Sequence, residues 1–217
     1  MEHLGLLLPV VDLTSAVVFA VTGALVASRK SLDIVGFMWL AVVTGVGGGS
    51  VRDMLLDLPV FWIETPSIVI ACLVAATVVH FTWHLVESRY RLILWLDAAG
   101  MALVTIAGTA KGLDAGVGAV VAVAMGVITA SVGGILRDVL GQEASVIMRR
   151  EIYVTAALCG AVAYVLTLAL SSDRYVAAVI GAATAFMLRV LALTLGWSLP
   201  VYRPRESSTR ANGGSDR

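Results

Sequence analysis

Gly45-Val46-Gly47-Gly48-Gly49-Ser50-Val51-Arg52-Asp53-Met54-Leu55-Leu56 sets three consecutive glycines and an adjacent Arg-Asp pair inside an apolar run. The chain repeats the pattern as Ala130-Ser131-Val132-Gly133-Gly134-Ile135-Leu136-Arg137-Asp138-Val139-Leu140, 85 residues later. Thr44 and Thr129 keep the same register, and upstream Asp12 maps to Asp97 and Gly23 to Gly108. So many matches at one offset indicate an internal duplication.

The surroundings of the repeats identify the solvent. Of 217 residues, 59% are hydrophobic and 14% charged, against roughly 25% charged in an average soluble domain. Mean hydropathy is +0.93. The apolar stretches are long and continuous, which suits helices of about 20 residues crossing a bilayer and excludes the alternating pattern of a membrane barrel. Seven spans are expected, at about 9–28, 34–56, 67–86, 92–110, 115–140, 152–170 and 175–197. The start of the chain reads as the first span and not as a signal peptide, since a basic n-region is lacking and Asp12 interrupts the apolar run.

Each copy of the repeat holds three spans, an odd number, so the second copy enters the membrane from the opposite side. The expected fold is an all-α membrane protein of seven helices: two inverted three-helix repeats (about 9–86 and 92–170) plus a seventh helix at about 175–197. Residues 1–202 form one transmembrane domain, and 203–217 form a tail that lacks apolar residues able to pack, expected to be disordered. Eleven basic residues fall on one side: Arg29, Lys30, Arg89, Arg91, Arg137, Arg149, Arg150, Arg203, Arg205, Arg210 and Arg217. Arg52, Lys111 and Arg174 fall on the other, and Arg189 lies within the seventh span. The positive-inside rule then places the N-terminus outside and the C-terminus in the cytoplasm. Trp62, Trp83, Trp95 and Trp197 near span ends suit an aromatic belt.

Helical periodicity sorts the repeated motif into faces. Thr44, Gly48 and Arg52 stack at i,i+4 spacing beside a stripe of Gly45, Gly49 and Asp53. Thr129, Gly133 and Arg137 repeat the first face, and Ala130, Gly134 and Asp138 the second. Consecutive glycines, Gly47 to Gly49, each cost a helix about 1 kcal/mol relative to Ala. They permit a bend or an unwound turn with free carbonyls, tolerated at membrane depth only where protein or a watery cavity receives them. The competing account is close helix packing through a small-xxx-small contact. Ionisable groups within a span mark a pathway or pair with a partner. Arg52 and Asp53 point about 100° apart on a helix, so each is free to pair with another helix.

Other polar residues have plainer accounts. Asp12 and Asp97, near the starts of spans one and four, read first as helix caps, with a supporting role behind spans two and five as the alternative. Lys111 reads as a snorkelling interface residue with gating as the alternative, and Arg189 as a pairing or snorkelling residue. His80 and His84 share a helix face without a carboxylate or cysteine to complete a metal set and read as interfacial. Cys72 and Cys159 read as packing residues. No cofactor is expected. Zero formal net charge from 15 basic and 15 acidic residues leaves no footprint for nucleic acid. No nucleophile-base pair, metal spacing or phosphate loop points to an enzyme.

The doubled glycine element followed by Arg-Asp, in a three-plus-three-plus-one plan, resembles the prokaryotic branch of the trimeric intracellular cation (TRIC) channel family. The resemblance covers about Val10 to Gly196. It rests on Asp12, Gly23, Gly47 to Gly49 with Arg52-Asp53, and Pro59. In the second half it rests on Asp97, Gly108, Lys111, Gly133-Gly134 with Arg137-Asp138, and Glu151 to Tyr153. It implies a homotrimer in a lipid membrane, with a pore in each protomer bounded by bent second and fifth spans and conducting potassium, with sodium as a further candidate. Lys111 is followed by Gly112-Leu113, where animal members carry Lys-Glu-Val, so only the lysine matches. The expected function is a potassium-permeable channel of a bacterial inner membrane. The alternative is a secondary transporter of a small solute such as glycine, because inverted repeats suit alternating access equally well. The pathway and gating candidates are Thr44, Gly47, Gly48, Gly49, Arg52, Asp53, Lys111, Thr129, Gly133, Gly134, Arg137 and Asp138, supported by Asp12 and Asp97.

Overall fold

Helices α1 (Glu2–Arg29) and α2 (Ile34–Leu55) are joined by a turn in which Ser31 takes a positive φ of 54°. Asp33 caps α2 by accepting from Gly36 N at 2.7 Å. A one-turn helix, α3 (Phe61–Glu64), follows, then α4 (Ser67–Thr82), whose end tightens into a 3₁₀ turn, Trp83–Leu85. The second half comprises α5 (Arg89–Asp114), α6 (Ala119–Leu140), α7 (Val154–Ser171) and α8 (Arg174–Leu195). These come from a computed structural model that describes residues 2–85, 88–143 and 152–197, with side chains from Pro9 onward. Within the described residues seven helices are long and apolar enough to cross a membrane, α1, α2 and α4–α8, and there is no strand. The seven expected spans match them to within a few residues. Arg149, Arg150, Glu151 and the tail 203–217 lie outside the described residues.

The duplication extends to the caps. Asp57 (φ 54°) after α2 and Gln142 (φ 49°) after α6 are 85 positions apart and share the left-handed conformation. Leu58 N donates to Asp53 O at 2.9 Å, and Glu143 N to Asp138 O at 2.8 Å, again at that offset. Ser31 finds its counterpart in Gly116, with φ of 80°.

Helix α1 packs against α2, α4 and α5, and α2 packs against α6. The α1 contact surface is built from Ala16, Ala20, Ala24 and Ala27, all essentially buried, small side chains that let membrane helices approach closely. Helices α2 and α6 run antiparallel, since Gly48 faces Thr129 while Gly133 faces Thr44. The C-terminal ends of α2 and α6, which carry the two Arg-Asp pairs, therefore lie toward opposite ends of the bundle. Apolar side chains such as Val35, Ile70, Val120, Leu170 and Val179 remain exposed, as the lipid-facing surface of a multi-pass membrane protein requires.

Candidate charged gates flanking a glycine crossing

The helical ladder runs unbroken through both glycine elements. The unwound turn contemplated above is not adopted, and the glycines serve close approach. A Cβ on Gly48 would collide with the carbonyl oxygen of Thr129, and one on Gly133 would sit 2.7 Å from the carbonyl oxygen of Thr44. Gly47 admits Leu136 and Gly49 admits the Phe61 ring, each at 2.6 Å from a notional Cβ. Gly134 has ordinary contacts, its nearest neighbour being Asp97 Oδ1 at 3.7 Å. The Thr44 and Thr129 hydroxyls donate back to Leu40 O and Met125 O at 2.6 and 2.5 Å. The crossing thus presents two threonine carbonyls and two hydroxyl oxygens within the bundle.

One turn beyond the crossing on α2 lies the first charged cluster. Arg52 Nε donates to Asp53 Oδ1 at 2.8 Å, and its Nη1 reaches Asp12 Oδ1 on α1 at 3.2 Å. Lys111 Nζ, from the end of α5, is 3.1 Å from Asp53 Oδ1 and 4.0 Å from Asp12 Oδ2. Asp53 Oδ2 accepts from Phe61 N at 2.9 Å. The Phe61 ring lies 5.5 Å from the Arg52 guanidinium and 5.8 Å from Lys111 Nζ, within cation–π range. Arg52 and Asp53 are fully buried, whereas the Lys111 side chain is 23% exposed. Two cations and two carboxylates balance here, which is what allows such charges to be buried. Arg52 Nη2 is buried without a hydrogen-bond partner among the described residues.

The second cluster repeats the first at the other end of the bundle. Arg137 Nη1 donates to Asp97 Oδ1 on α5 at 2.8 Å, and Nε to Asp138 Oδ1 at 3.0 Å. Forty residues separate aspartate from arginine in both clusters. Where the first cluster recruits Lys111, the second recruits Thr22, whose hydroxyl accepts from Arg137 Nη1 at 3.1 Å. Behind it Tyr153 donates to Ala130 O at 2.9 Å, and the buried Arg189 of α8 stacks on its ring at 5.2 Å.

Three expectations change. Asp12 and Asp97 are not helix caps: Asp12 lies well inside α1 and Asp97 inside α5, and both bind the guanidinium of a neighbouring helix. Lys111 does not snorkel to the interface but turns inward to Asp53, because a buried carboxylate offers a stronger partner. Arg52 and Asp53 pair with each other as well as across helices, since a long arginine side chain folds back over the direction its Cβ sets. Phe61 and Thr22 were missed. Phe61 follows Pro59 in a short apolar stretch with no charge or repeat to mark it, and Thr22 has no counterpart at the offset, where Ala107 stands.

Comparison with known proteins gives the same duplication. A family model described as "Glycine transporter" matches residues 9–84 and again 94–169. The chain is 37% identical over 197 residues to the UPF0126 inner membrane protein YadS of Escherichia coli K12, covering 88% of this chain and 94% of that one. It is 36% identical over 201 residues to a UPF0126 membrane protein of Vibrio cholerae, covering 90% and 83%. Among solved structures, the TRIC trimeric intracellular cation channel orthologue from Rhodobacter sphaeroides superposes with a TM-score of 0.86 at 50% identity, covering 88% of this chain and 99% of that one. A second TRIC cation channel structure gives 0.81 at 28% identity, covering 90% and 97%. These relatives are channels and membrane proteins, not enzymes. The matched repeats, the seven-helix fold and these relatives together place the chain in the family that the Glycine transporter model describes, the family of the TRIC channels.

Proposed function

We propose that this protein is a potassium-permeable cation channel of a bacterial inner membrane, assembled as a homotrimer, with a pore in each protomer between the inverted repeats. The observation that carries the proposal is the pair of ion-paired clusters, Asp12–Arg52–Asp53–Lys111 and Asp97–Arg137–Asp138, flanking the Gly48–Gly133 crossing. Four residues of helix, about 6 Å, separate each arginine from its glycine, so the two clusters stand on either side of the crossing. The 50% identity to the Rhodobacter sphaeroides channel supports the same reading.

The electrostatics suit a gated cation path. One uncompensated positive charge 4 Å from a cation costs about 4 kcal/mol at an effective dielectric near 20, which suppresses entry about a thousandfold. Pairing with Asp12 and Asp53 removes most of that barrier at Arg52, and Asp97 with Asp138 does so at Arg137. With Lys111 on Asp53 the first carboxylate pair is occupied, so the ion-paired arrangement is the closed state. Withdrawal of Lys111 leaves two aspartates against one arginine, a net negative mouth that attracts a cation. The hydroxyl oxygens of Thr44 and Thr129 then replace part of its hydration. The N-terminus faces outward and the C-terminus lies in the cytoplasm, with the first cluster at the outer end.

A secondary transporter of glycine is the second reading, favoured by the description of the family model and by Arg52 Nη2. A buried guanidinium N–H without a partner among the described residues is a group that would take an amino-acid carboxylate. Purified protein in planar bilayers under a potassium gradient separates the two. Discrete conductance steps with a cation-selective reversal potential are expected. Silent bilayers with saturable glycine uptake into proteoliposomes would establish the transporter instead.

A further inference from the structure

A second charged feature lies outside the proposed pathway, where the ends of α1 and α4 meet the starts of α2 and α5. There a cavity of about 360 Å³ is lined by Ser28, Arg29, Ser31, Phe37, His80 and Arg89, with Leu32 and Trp83 at its edge. Arg89 Nη1 donates to Ser28 O at 3.1 Å, and its guanidinium stacks 4.6 Å from the Trp83 ring. Arg29 Nη1 meets Glu143 Oε1 at 3.1 Å and lies over Tyr90 at 5.1 Å. Each arginine thus spends one Nη1 on these polar contacts, out of five N–H donors in a guanidinium. His80 is held edge-on between Phe37 at 4.7 Å and Phe81 at 5.1 Å, and its Nδ1 is buried without a partner among the described residues.

We propose that this cavity binds the phosphate headgroup of an anionic phospholipid. Two arginines and the exposed hydroxyl of Ser31 supply the forked and single donors that phosphate oxygens accept, and His80 Nδ1 gains a partner there. Among the described residues, the carboxylate paired with these arginines is Glu143, on Arg29. The cavity opens at the membrane end of the bundle, marked by the interfacial Trp83. Around it Leu32, Val35, Phe81 and Leu85 are 41%, 67%, 65% and 74% exposed, an apolar surface on which acyl chains can lie. That surface favours a lipid over free phosphate as the source of the anion. The site joins α1 and α2 to α4 and α5, so an occupant would brace the first repeat against the start of the second.

The test is native mass spectrometry of the detergent-purified full chain titrated with dioleoyl phosphatidylglycerol, dioleoyl phosphatidylcholine or inorganic phosphate. Phosphatidylglycerol should be retained about tenfold more tightly than phosphatidylcholine, and millimolar phosphate should not displace it. Arg89→Gln should abolish the preference. Because Arg89 also holds the end of α1, Ser31→Asp provides a fold-sparing variant. Ser31 is exposed at a positive φ that aspartate tolerates well, and the new carboxylate repels phosphate. Equal retention of both lipids, displacement by inorganic phosphate, or an unchanged preference in a Ser31→Asp protein of normal assembly size would overturn the proposal.

Discussion

Lys111 of the second repeat places its Nζ 3.1 Å from Asp53 Oδ1 of the first. It is the most accessible charge in its cluster, and nothing equivalent stands in the other, because the position 85 residues earlier is Val26. The two ends of the proposed path are therefore unequal, and the partly exposed cation is at one of them. Lys111→Gln should raise potassium current per folded protein by roughly tenfold, well below the unscreened limit, because the amine is partly exposed to solvent. Asp53 keeps Arg52 and the Phe61 amide, so the fold should hold. Wild-type current from correctly assembled Lys111→Gln protein would remove Lys111 from the gate.

The buried arginines behave differently. Arg137→Met leaves Asp97 and Asp138 as facing carboxylates in a dry site, and removing one partner of a buried pair costs about 3–5 kcal/mol. Adding Asp97→Asn should recover part of that loss. Arg174→Gln breaks the pair with Asp114, in which the arginine is 41% exposed, and should cost at most about 1 kcal/mol. Unfolding in mixed micelles titrated with dodecyl sulfate ranks the three, and equal stability of Arg137→Met and Arg174→Gln would refute the assignment.

At the crossing, the test is a single methyl group. Gly48→Ala drives a Cβ into the Thr129 carbonyl, which the α6 backbone holds in place, so the helices must separate. Overpacking of this kind costs about 1–3 kcal/mol. Gly118→Ala, with nothing within 4 Å of the new atom, changes only the N-cap of α6 and should cost about 0.5–1 kcal/mol. The same unfolding measurement checks both. A Gly48→Ala protein as stable as the wild type would mean that the crossing is loose.

Orientation is tested from two exposed positions on opposite faces of the bundle, Lys30 and Glu64. In a background of Cys72→Ala and Cys159→Ala, Glu64→Cys should react with an impermeant maleimide on intact cells. Lys30→Cys should react only after permeabilisation. The reverse pattern would invert the proposed topology and put the first cluster at the cytoplasmic end.

Much of the architecture was legible because apolar length and internal repetition are one-dimensional properties. The 85-residue offset is in the chain whether or not it folds, and it carries through to the paired left-handed residues Asp57 and Gln142. Span lengths follow from bilayer thickness, so α2 was placed almost to the residue and α6 at its C-terminal end, its start lying four residues later than expected. The Arg-Asp pairs stood out because charge in an apolar run is expensive.

Partnership was another matter. Asp12 near the start of a span has the same local sequence meaning as a capping residue, and only the position of α1 beside α2 makes it a counter-ion for Arg52. The glycines likewise carry two meanings along the chain, flexibility and thinness. Which one prevails depends on whether another backbone arrives, and at Gly48 and Gly133 it does. Phe61 joined the cluster through its amide and ring, neither of which has a sequence signature. Periodicity and hydropathy determined the elements, their number and their inverted order, since these depend on local spacing and on solvent. The ion pairs, the crossing and the cavity beside His80 were decided by tertiary packing, because each requires groups from helices tens of residues apart to meet within a few ångströms.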